Sequence, residues 1–417
     1  MELKRVVVTG LGAITPIGNN INDYWNALLN GVSGAAEIKG FDTEKFKTKF
    51  ACEVKGFNPL DYFDRKEARK HDKYSQFGMV AAGQAIEDSG IDSDGVNKER
   101  VGVIWASGIG GLDTFFQEVE GFAKGDGTPR FNPFFIPKMI ADIAAGHISI
   151  KYGFKGPNFA TVSACASSAN ALSDAFNYIR LGKADAFIAG GSEAAINPTG
   201  VGGFNAMHAI STRNDDPLTA SRPFDKDRDG FVMGEGGGGM VFEELEHALA
   251  RGAKIYGEVA GAGLSGDAHH MTAPHPEGDG ARRCMQAAIE DAEINIEDID
   301  HINTHGTSTP VGDIVEPKAI VNLFGEHAYS ININSTKSMT GHLLGGAGVI
   351  EAIAALLAVK YDIVPPTINH FTDDPDIDGK LNFTFNKAHK RTVNIALSNT
   401  FGFGGHNASL IFKKFAK

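Results

Sequence analysis

The stretch FATVSACASSANALSDAFNYIRL, residues 159–181, is the most informative segment of the chain for both fold and chemistry. Its β-prone start, Phe159–Val162, predicts a strand, and the apolar spacing of Ser167–Leu181, ended by Gly182, predicts a helix. Cys165 lies at the turn between them. A helix start offers free N–H groups and a partial positive charge, which stabilise a thiolate and a nearby oxyanion. Because a lone cysteine is commonly a buried structural residue, a functional Cys165 needs partners elsewhere in the chain.

Length and composition narrow the class of protein. The chain has 417 residues, beyond the size at which a single core usually keeps growing, so two closely packed halves are expected. A formal net charge of −12 argues against a nucleic-acid partner. Three widely spaced cysteines form no disulfide framework, which indicates a reducing compartment. No apolar run approaches 18 residues and no targeting segment is recognised, so we expect a cytoplasmic protein with no membrane partner.

Short β-rich runs alternate with longer helical runs along the chain, which is typical of an α/β fold. The second half repeats the order of elements seen in the first, with a predicted helix at 316–324. Its predicted strands lie at 255–262, 300–304, 331–335, 393–398 and 408–412. We therefore predict two related halves, residues 1–252 and 253–417, that share one core.

Two histidines follow predicted strands directly. His305 lies in NTHGTSTP, residues 303–310, at a strand end where α/β enzymes place catalytic groups. His342 lies in STKSMTGHLL, residues 335–344, just before a predicted apolar helix. Glu351 lies inside that helix, where an unpaired carboxylate is costly, and Lys337 is its nearest candidate partner in sequence.

The segment SNTFGFGGH, residues 398–406, alternates phenylalanine with glycine. This pattern fits either a mobile gate over a pocket or a tight glycine hairpin, and the sequence leaves both open. By contrast, GLGAIT at residues 10–15 lacks the third glycine of a dinucleotide fingerprint, and His269, His270 and His275 lack the spacing of a zinc motif.

The cysteine segment, the two histidine segments and the FGFGG loop, in this order, resemble the β-ketoacyl-acyl-carrier-protein synthases of the thiolase superfamily, most closely the elongating type II enzymes. The similarity runs almost end to end. It implies a thiolase-like fold, in which two related halves form a five-layered αβαβα core, and a homodimer. The implied activity is the decarboxylative condensation of malonyl-acyl-carrier protein with an acyl group. Substrates are carried on phosphopantetheine, and no further cofactor is required.

The resemblance also implies roles for single residues. Cys165 matches the acylated nucleophile, and His305 and His342 match the pair that handles malonyl decarboxylation. Lys337 matches the lysine that supports this site, with Glu351 in its network. Two neutral imidazoles suit the reaction, because the enolate left by CO2 loss needs hydrogen-bond donors placed in advance.

Further positions match the oxyanion hole and the substrate channel. The backbone N–H of Phe401 is expected to join that of Cys165 in binding the oxyanion, and its ring to gate the pocket. The expected substrate-binding residues are Ile109, Thr272, Thr307, Thr309, Phe403 and, contributed by the partner subunit, Phe135.

Binding sites for a carrier protein and a cation are implied as well. Lys66, Arg69 and Lys70 match the positions that dock the acidic carrier protein, whereas His208 stands where a second docking residue is usually basic. A structural monovalent cation is expected near Asn303, Glu351, Ser398 and Asn399. His406 replaces the common threonine after the glycine loop, and we expect a structural role for it.

Two other functions stay open at this point. A degradative thiolase has the same fold, but such enzymes usually use a second catalytic cysteine where this chain has His342. A chain-length-factor-like subunit typically loses the nucleophile, which this chain keeps as Cys165. Neither the acyl-chain length nor the pathway follows from the sequence.

Overall fold

The computed structural model describes residues 3–416, and its main element is a ten-stranded sheet. The strands are β1 (Val6–Ile14), β2 (Val101–Ala106), β3 (Asn158–Phe159), β4 (Ala186–Glu193), β5 (Gly236–Glu244), β6 (Gly257–Gly266), β7 (His301–Asn303), β8 (Asn332–Asn334), β9 (Ile395–Gly402) and β10 (His406–Lys413). Two small ribbons pair Ala36–Glu37 with Phe50–Ala51, and Ile363–Val364 with His389–Lys390.

The α-helices of the described chain surround this sheet. They are α1 (Ile21–Leu29), α2 (Arg65–Ala68), α3 (Lys73–Ser89), α4 (Leu112–Lys124), α5 (Phe135–Met139), α6 (Ile143–Tyr152), α7 (Ser167–Arg180), α8 (Pro198–Ala206), α9 (Leu245–Ala250), α10 (Asp279–Asp291), α11 (Gly312–Phe324), α12 (Lys337–Thr340) and α13 (Ala347–Tyr361).

The two halves of the sheet have the same topology. The strand order is β8-β7-β9-β10-β6-β1-β5-β4-β2-β3. In the first half, β1 pairs antiparallel with β5, β5 pairs antiparallel with β4, and β4, β2 and β3 are parallel neighbours in that order. In the second half, β6 pairs antiparallel with β10, β10 pairs antiparallel with β9, and β9, β7 and β8 are parallel neighbours in that order. The halves join through Val6–Val8 of β1 and Gly257–Val259 of β6. This repeat is the two-fold relation that the order of elements predicts.

Helices form three layers around the two halves. Helices α3 and α6 cover the outer face of the first half, and α10 and α11 cover that of the second. Helices α7 and α13 lie between the halves and contact strands of both. The predicted five-layered αβαβα core is therefore confirmed.

The central helix α13 is apolar on every side because it is enclosed by both halves. The segment Leu344–Tyr361 is, by length and composition alone, apolar enough to cross a membrane, although 89% of it is buried inside the protein. The expectation that no segment reaches this length was therefore wrong. The burial identifies it as a core helix.

Several predicted boundaries need correction. The strand expected at Phe159–Val162 is wrong beyond Phe159, because Thr161 Oγ1 donates to the Ser167 carbonyl at 2.8 Å and so joins the start of α7. Helix α11 begins at Gly312, four residues before its predicted start. Strand β9 runs on to Gly402, so most of the 398–406 segment is a tight hairpin with Gly404 and Gly405 at φ of +88° and +75°.

Candidate active site

Cys165 lies on a sharp turn immediately before α7. Ala164 has a φ of +51°, a left-handed conformation that costs a non-glycine residue about 1–3 kcal/mol. Ser167 holds this turn, because its hydroxyl accepts from the Ser163 N–H at 2.9 Å and donates to the Ala164 carbonyl at 2.6 Å. The strained turn presents the Cys165 side chain to the cavity described below.

Three side chains from distant segments converge at this turn. His342 Nε2 lies 3.0 Å from Cys165 Sγ. The rings of His305 and His342 meet edge to face with centroids 5.3 Å apart. One donor atom from each of the three residues lies within 4.8 Å of the other two. The structure thus brings together the predicted nucleophile and both predicted histidines.

A cavity of about 600 Å³ opens onto these three residues. It is also lined by the predicted positions Ile109, Thr272, Thr307, Thr309, Phe401 and Phe403, and by His208. Phe135 does not line it; its ring packs on Phe131 at 5.5 Å within the same chain. A single chain therefore assembles every predicted substrate-binding position except the one expected from a partner subunit.

Lys337 and Glu351 form a fully buried ion pair beside the histidines. Burial raises the pKa of Glu351 to about 7, even though Lys337 acts to lower it. The sequence prediction that Lys337 is the partner of Glu351 is confirmed by this contact. The pair fixes a positive group near both imidazoles.

The reacting groups are neutral at rest. Burial raises the pKa of the Cys165 thiol to about 12, although Lys337 and the Phe403 N–H both lower it. Burial, with a contribution from Lys337, holds the pKa of His305 and that of His342 well below 6.5. Burial therefore opposes the thiolate that the helix start favours. The expected neutral imidazoles are present.

The backbone donor next to the sulfur belongs to Phe403 rather than Phe401. The Phe403 N–H faces Cys165 and acts to lower the pKa of its thiol, whereas Phe401 lies inside β9 opposite Asn407. The ring of Phe401 packs against His305 with centroids 5.8 Å apart. The sequence assigned the Phe401 N–H to the oxyanion hole, but the backbone N–H beside Cys165 is that of Phe403, because β9 extends four residues further than the sequence indicated.

The sequence reasoning missed two buried carboxylates. Glu316, on α11, accepts from the N–H groups of His305 at 3.0 Å and Gly306 at 2.9 Å. Glu193, at the end of β4, accepts from the Gly108 N–H at 2.8 Å and the Gly345 N–H at 3.1 Å. Both could have been recognised in the sequence, because a carboxylate within an apolar helix or at the end of a buried strand is costly unless it is paired.

At the predicted cation position, Asn303 Oδ1 and both Glu351 oxygens lack a hydrogen-bond partner among residues 3–416, although Glu351 Oε1 forms an ion pair with Lys337. Asn303 is fully buried, and neither its Oδ1 nor its Nδ2 has a hydrogen-bond partner among residues 3–416. Ser398 is its neighbour in register across β7 and β9. Asn399 is already engaged, since its Oδ1 accepts from Ser409 at 2.7 Å and its Nδ2 donates to Glu316. Asn303 and Glu351 fit a monovalent cation better than Asn399 does.

The predicted docking segment forms the short helix α2 and the turn that follows it. Lys66 and Arg69 are exposed, and Lys70 pairs with Glu67 at 2.5 Å. His406 is exposed beyond the hairpin turn and does not line the cavity.

A cysteine in contact with a buried histidine and beside a second, half-buried histidine, in a core of two repeated halves, is the arrangement expected of a condensing enzyme of the thiolase superfamily. The family model described as beta-ketoacyl synthase, N-terminal domain, matches residues 3–248, and that described as beta-ketoacyl synthase, C-terminal domain, matches residues 256–371. The chain therefore belongs to the β-ketoacyl synthase family.

Curated relatives with high sequence identity share one name within that family. The 3-oxoacyl-[acyl-carrier-protein] synthase 2 of Synechocystis is 50% identical over 415 residues, which cover 100% of this chain and 99% of the relative. The enzyme of the same name from Staphylococcus aureus is 50% identical over 412 residues, which cover 99% of each.

Solved structures agree with the fold. A β-ketoacyl synthase from Burkholderia phymatum matches with a TM-score of 0.92 at 34% identity, over 99% of this chain and 100% of its own. A type II polyketide ketosynthase in complex with its acyl-carrier protein matches with a TM-score of 0.90, also at 34% identity and the same coverage. The thiolase-like fold is thereby confirmed.

Proposed function

We propose that this protein is an elongating β-ketoacyl-[acyl-carrier-protein] synthase of fatty acid synthesis. It condenses malonyl-acyl-carrier protein with an acyl group held on Cys165 and lengthens the chain by two carbons. The observation that carries the proposal is the 3.0 Å contact of Cys165 Sγ with His342 Nε2 at the cavity lining, with His305 beside it.

The first half-reaction loads the acyl group. Because the Cys165 thiol is protonated at rest, its proton passes to His342 Nε2 as Sγ attacks the acyl thioester. Sγ gains the acyl carbon, and the C–S bond to the phosphopantetheine breaks. The departing thiolate takes the proton back from His342. One thioester replaces another, so the step is nearly neutral in free energy.

The second half-reaction uses both imidazoles as donors, for which His342 carries its proton on Nε2 rather than on Nδ1 as in the first half-reaction. Loss of CO2 from the malonyl group leaves an enolate, whose oxygen His305 and His342 bind. The enolate carbon attacks the acyl carbonyl on Cys165, and the Cys165 and Phe403 N–H groups bind the resulting oxyanion. Collapse of this intermediate breaks the C–Sγ bond and releases the β-ketoacyl product, and the Cys165 thiolate takes up one proton from solvent.

Partners and assembly complete the proposal. The acidic acyl carrier protein docks on Lys66, Arg69 and Lys70, where opposite charge speeds the encounter. The protein acts as a cytoplasmic homodimer, which is the arrangement that would bring Phe135 of one chain to the cavity of the other. Asn303 and Glu351 would hold a monovalent cation that fixes the backbone behind the histidines.

Condensation assays with purified acyl- and malonyl-carrier proteins test the function. Cys165→Ala is expected to abolish condensation, and His305→Ala to impair malonyl decarboxylation. Cys284→Ala is the matched control, because Cys284 is also buried but lies at the Gly263 carbonyl, outside the cavity. Full condensing activity in the Cys165→Ala protein would overturn the proposal. Acyl groups of graded length would define the chain-length preference.

A further inference from the structure

The three reacting side chains also form a set of metal ligands. Cys165, His305 and His342 come from three separate segments, and one donor atom from each lies within 4.8 Å of the other two. One thiol and two imidazoles are the donor types that zinc selects in proteins, and three protein ligands with one open position are typical of zinc sites that keep a fourth ligand exchangeable.

The spacing is close to what a tetrahedral ion requires. With Zn–S of about 2.3 Å and Zn–N of about 2.0–2.1 Å, ligand atoms around a tetrahedral ion are separated by roughly 3.3–3.6 Å. The 3.0 Å between Cys165 Sγ and His342 Nε2 would open by roughly 0.5 Å, and the His305 contacts, within 4.8 Å, would close by at most about 1.5 Å. Side-chain rotation of this size leaves the backbone in place.

We propose that Cys165, His305 and His342 form a binding site for a thiophilic divalent cation, Zn²⁺, whose fourth coordination position faces the cavity. Binding breaks the S–H bond and forms an S–Zn bond, and the proton leaves to solvent. No group is oxidised or reduced. The ion occupies the sulfur lone pair that attacks the acyl thioester, so Zn²⁺ and acyl loading exclude each other.

The surroundings do not oppose a cation strongly. The positive charge that acts on all three side chains is Lys337, and Glu351 pairs with it directly. Glu193 and Glu316 add two more buried carboxylates near the cluster. The cavity gives the ion a path from solvent, because all three ligands line it.

Cobalt substitution tests the site without substrate, so its failure would leave the proposed function standing. Co²⁺ titrated into the reduced, full-length protein is expected to give a near-ultraviolet thiolate-to-cobalt charge-transfer band at one ion per chain, and Zn²⁺ should displace it. The band should be absent in Cys165→Ser and unchanged in Cys284→Ser. In His305→Asn the affinity should fall by more than roughly 10- to 100-fold, the loss seen when only an outer partner of a metal ligand is removed.

A second measurement uses the unmodified protein, so the proposal does not depend on a variant that folds. Zn²⁺ is expected to slow alkylation of Cys165 by iodoacetamide, followed by peptide mass spectrometry, while Cys52 and Cys284 keep their rates. A cobalt band that persists in Cys165→Ser would overturn the proposal. So would metal binding that is lost only when the exposed His269 and His270 are replaced, or Cys165 alkylation that Zn²⁺ leaves unchanged.

Discussion

Glu316→Gln should separate the two half-reactions. Three donors converge on the Glu316 carboxylate: the His305 N–H at 3.0 Å and Asn399 Nδ2 at 3.1 Å to Oε1, and the Gly306 N–H at 2.9 Å to Oε2. Glutamine keeps the volume but offers one carbonyl oxygen and one NH2 group. Whichever way that amide turns, its NH2 faces at least one backbone or side-chain donor, so the segment carrying His305 must shift.

The size of the effect follows from the contact that is lost. A hydrogen bond to a charged group contributes about 1.5–3 kcal/mol, and 1.4 kcal/mol is a factor of ten, so losing one predicts a decrease of about 10- to 150-fold. This loss is expected in malonyl decarboxylation, which needs His305. Acyl transfer to Cys165 depends on His342, which Glu316 does not contact, and should change little.

Two assays on the same protein make the comparison. Release of labelled CO2 from malonyl-carrier protein reports decarboxylation, and mass spectrometry of the acyl-enzyme reports loading of Cys165. Glu290→Gln is the matched control, since Glu290 is an exposed carboxylate on α10. Equal losses in both half-reactions, or wild-type decarboxylation in Glu316→Gln, would refute the role assigned to Glu316.

Four further outcomes are expected. Lys337→Met leaves a buried carboxylate without its cation and should lower the free energy of unfolding by about 3–5 kcal/mol in urea denaturation. Gly345→Ala would place a Cβ 2.1 Å from the Gly108 nitrogen, so condensation should fall while circular dichroism still shows a folded protein. Arg69→Glu should raise KM for the acyl carrier protein with kcat unchanged, and the difference should shrink in high salt. Burial raises the pKa of Glu316 from 4.5 to about 7, so its contribution to stability is fully present below pH 4.5 and is lost as the pH rises through about 7. The urea midpoint should therefore fall less steeply over this range in Glu316→Gln than in the wild type.

The sequence correctly predicted elements that depend only on residues close together in the chain. Helix α7 begins at its predicted residue and ends one residue before its predicted end, because its apolar spacing and the glycine after it are both present in the sequence. The β-rich run Val101–Ala106 predicts a strand, and strand β2 has these bounds. The order of elements also predicted the repeat, which the identical strand order of the two halves makes plain.

The features that the sequence did not reveal depend on distant contacts. Glu316 was assigned only to a helix, because nothing near it in sequence shows that it accepts from the His305 backbone eleven residues earlier. Phe401 and Phe403 are near-equivalent in the FGFGG pattern, and only the length of β9 decides which amide faces the sulfur. Phe135 lies outside the cavity of its own chain, so its predicted role depends on a second copy.

The protonation of Cys165 at rest shows why the histidine is needed. A helix start favours a negative group by about 0.3–1 kcal/mol, and by up to ~2 kcal/mol when partly buried. Burial acts the other way: raising the thiol pKa from 9.0 to about 12 corresponds to about 4 kcal/mol at 1.36 kcal/mol per pKa unit. Burial therefore dominates, and the helix start cannot supply the thiolate alone. The helix argument alone is therefore an incomplete reason for assigning Cys165 as the nucleophile, because a thiol this buried requires a proton acceptor in contact with it. In the proposed reaction that acceptor is His342 Nε2, 3.0 Å from Sγ.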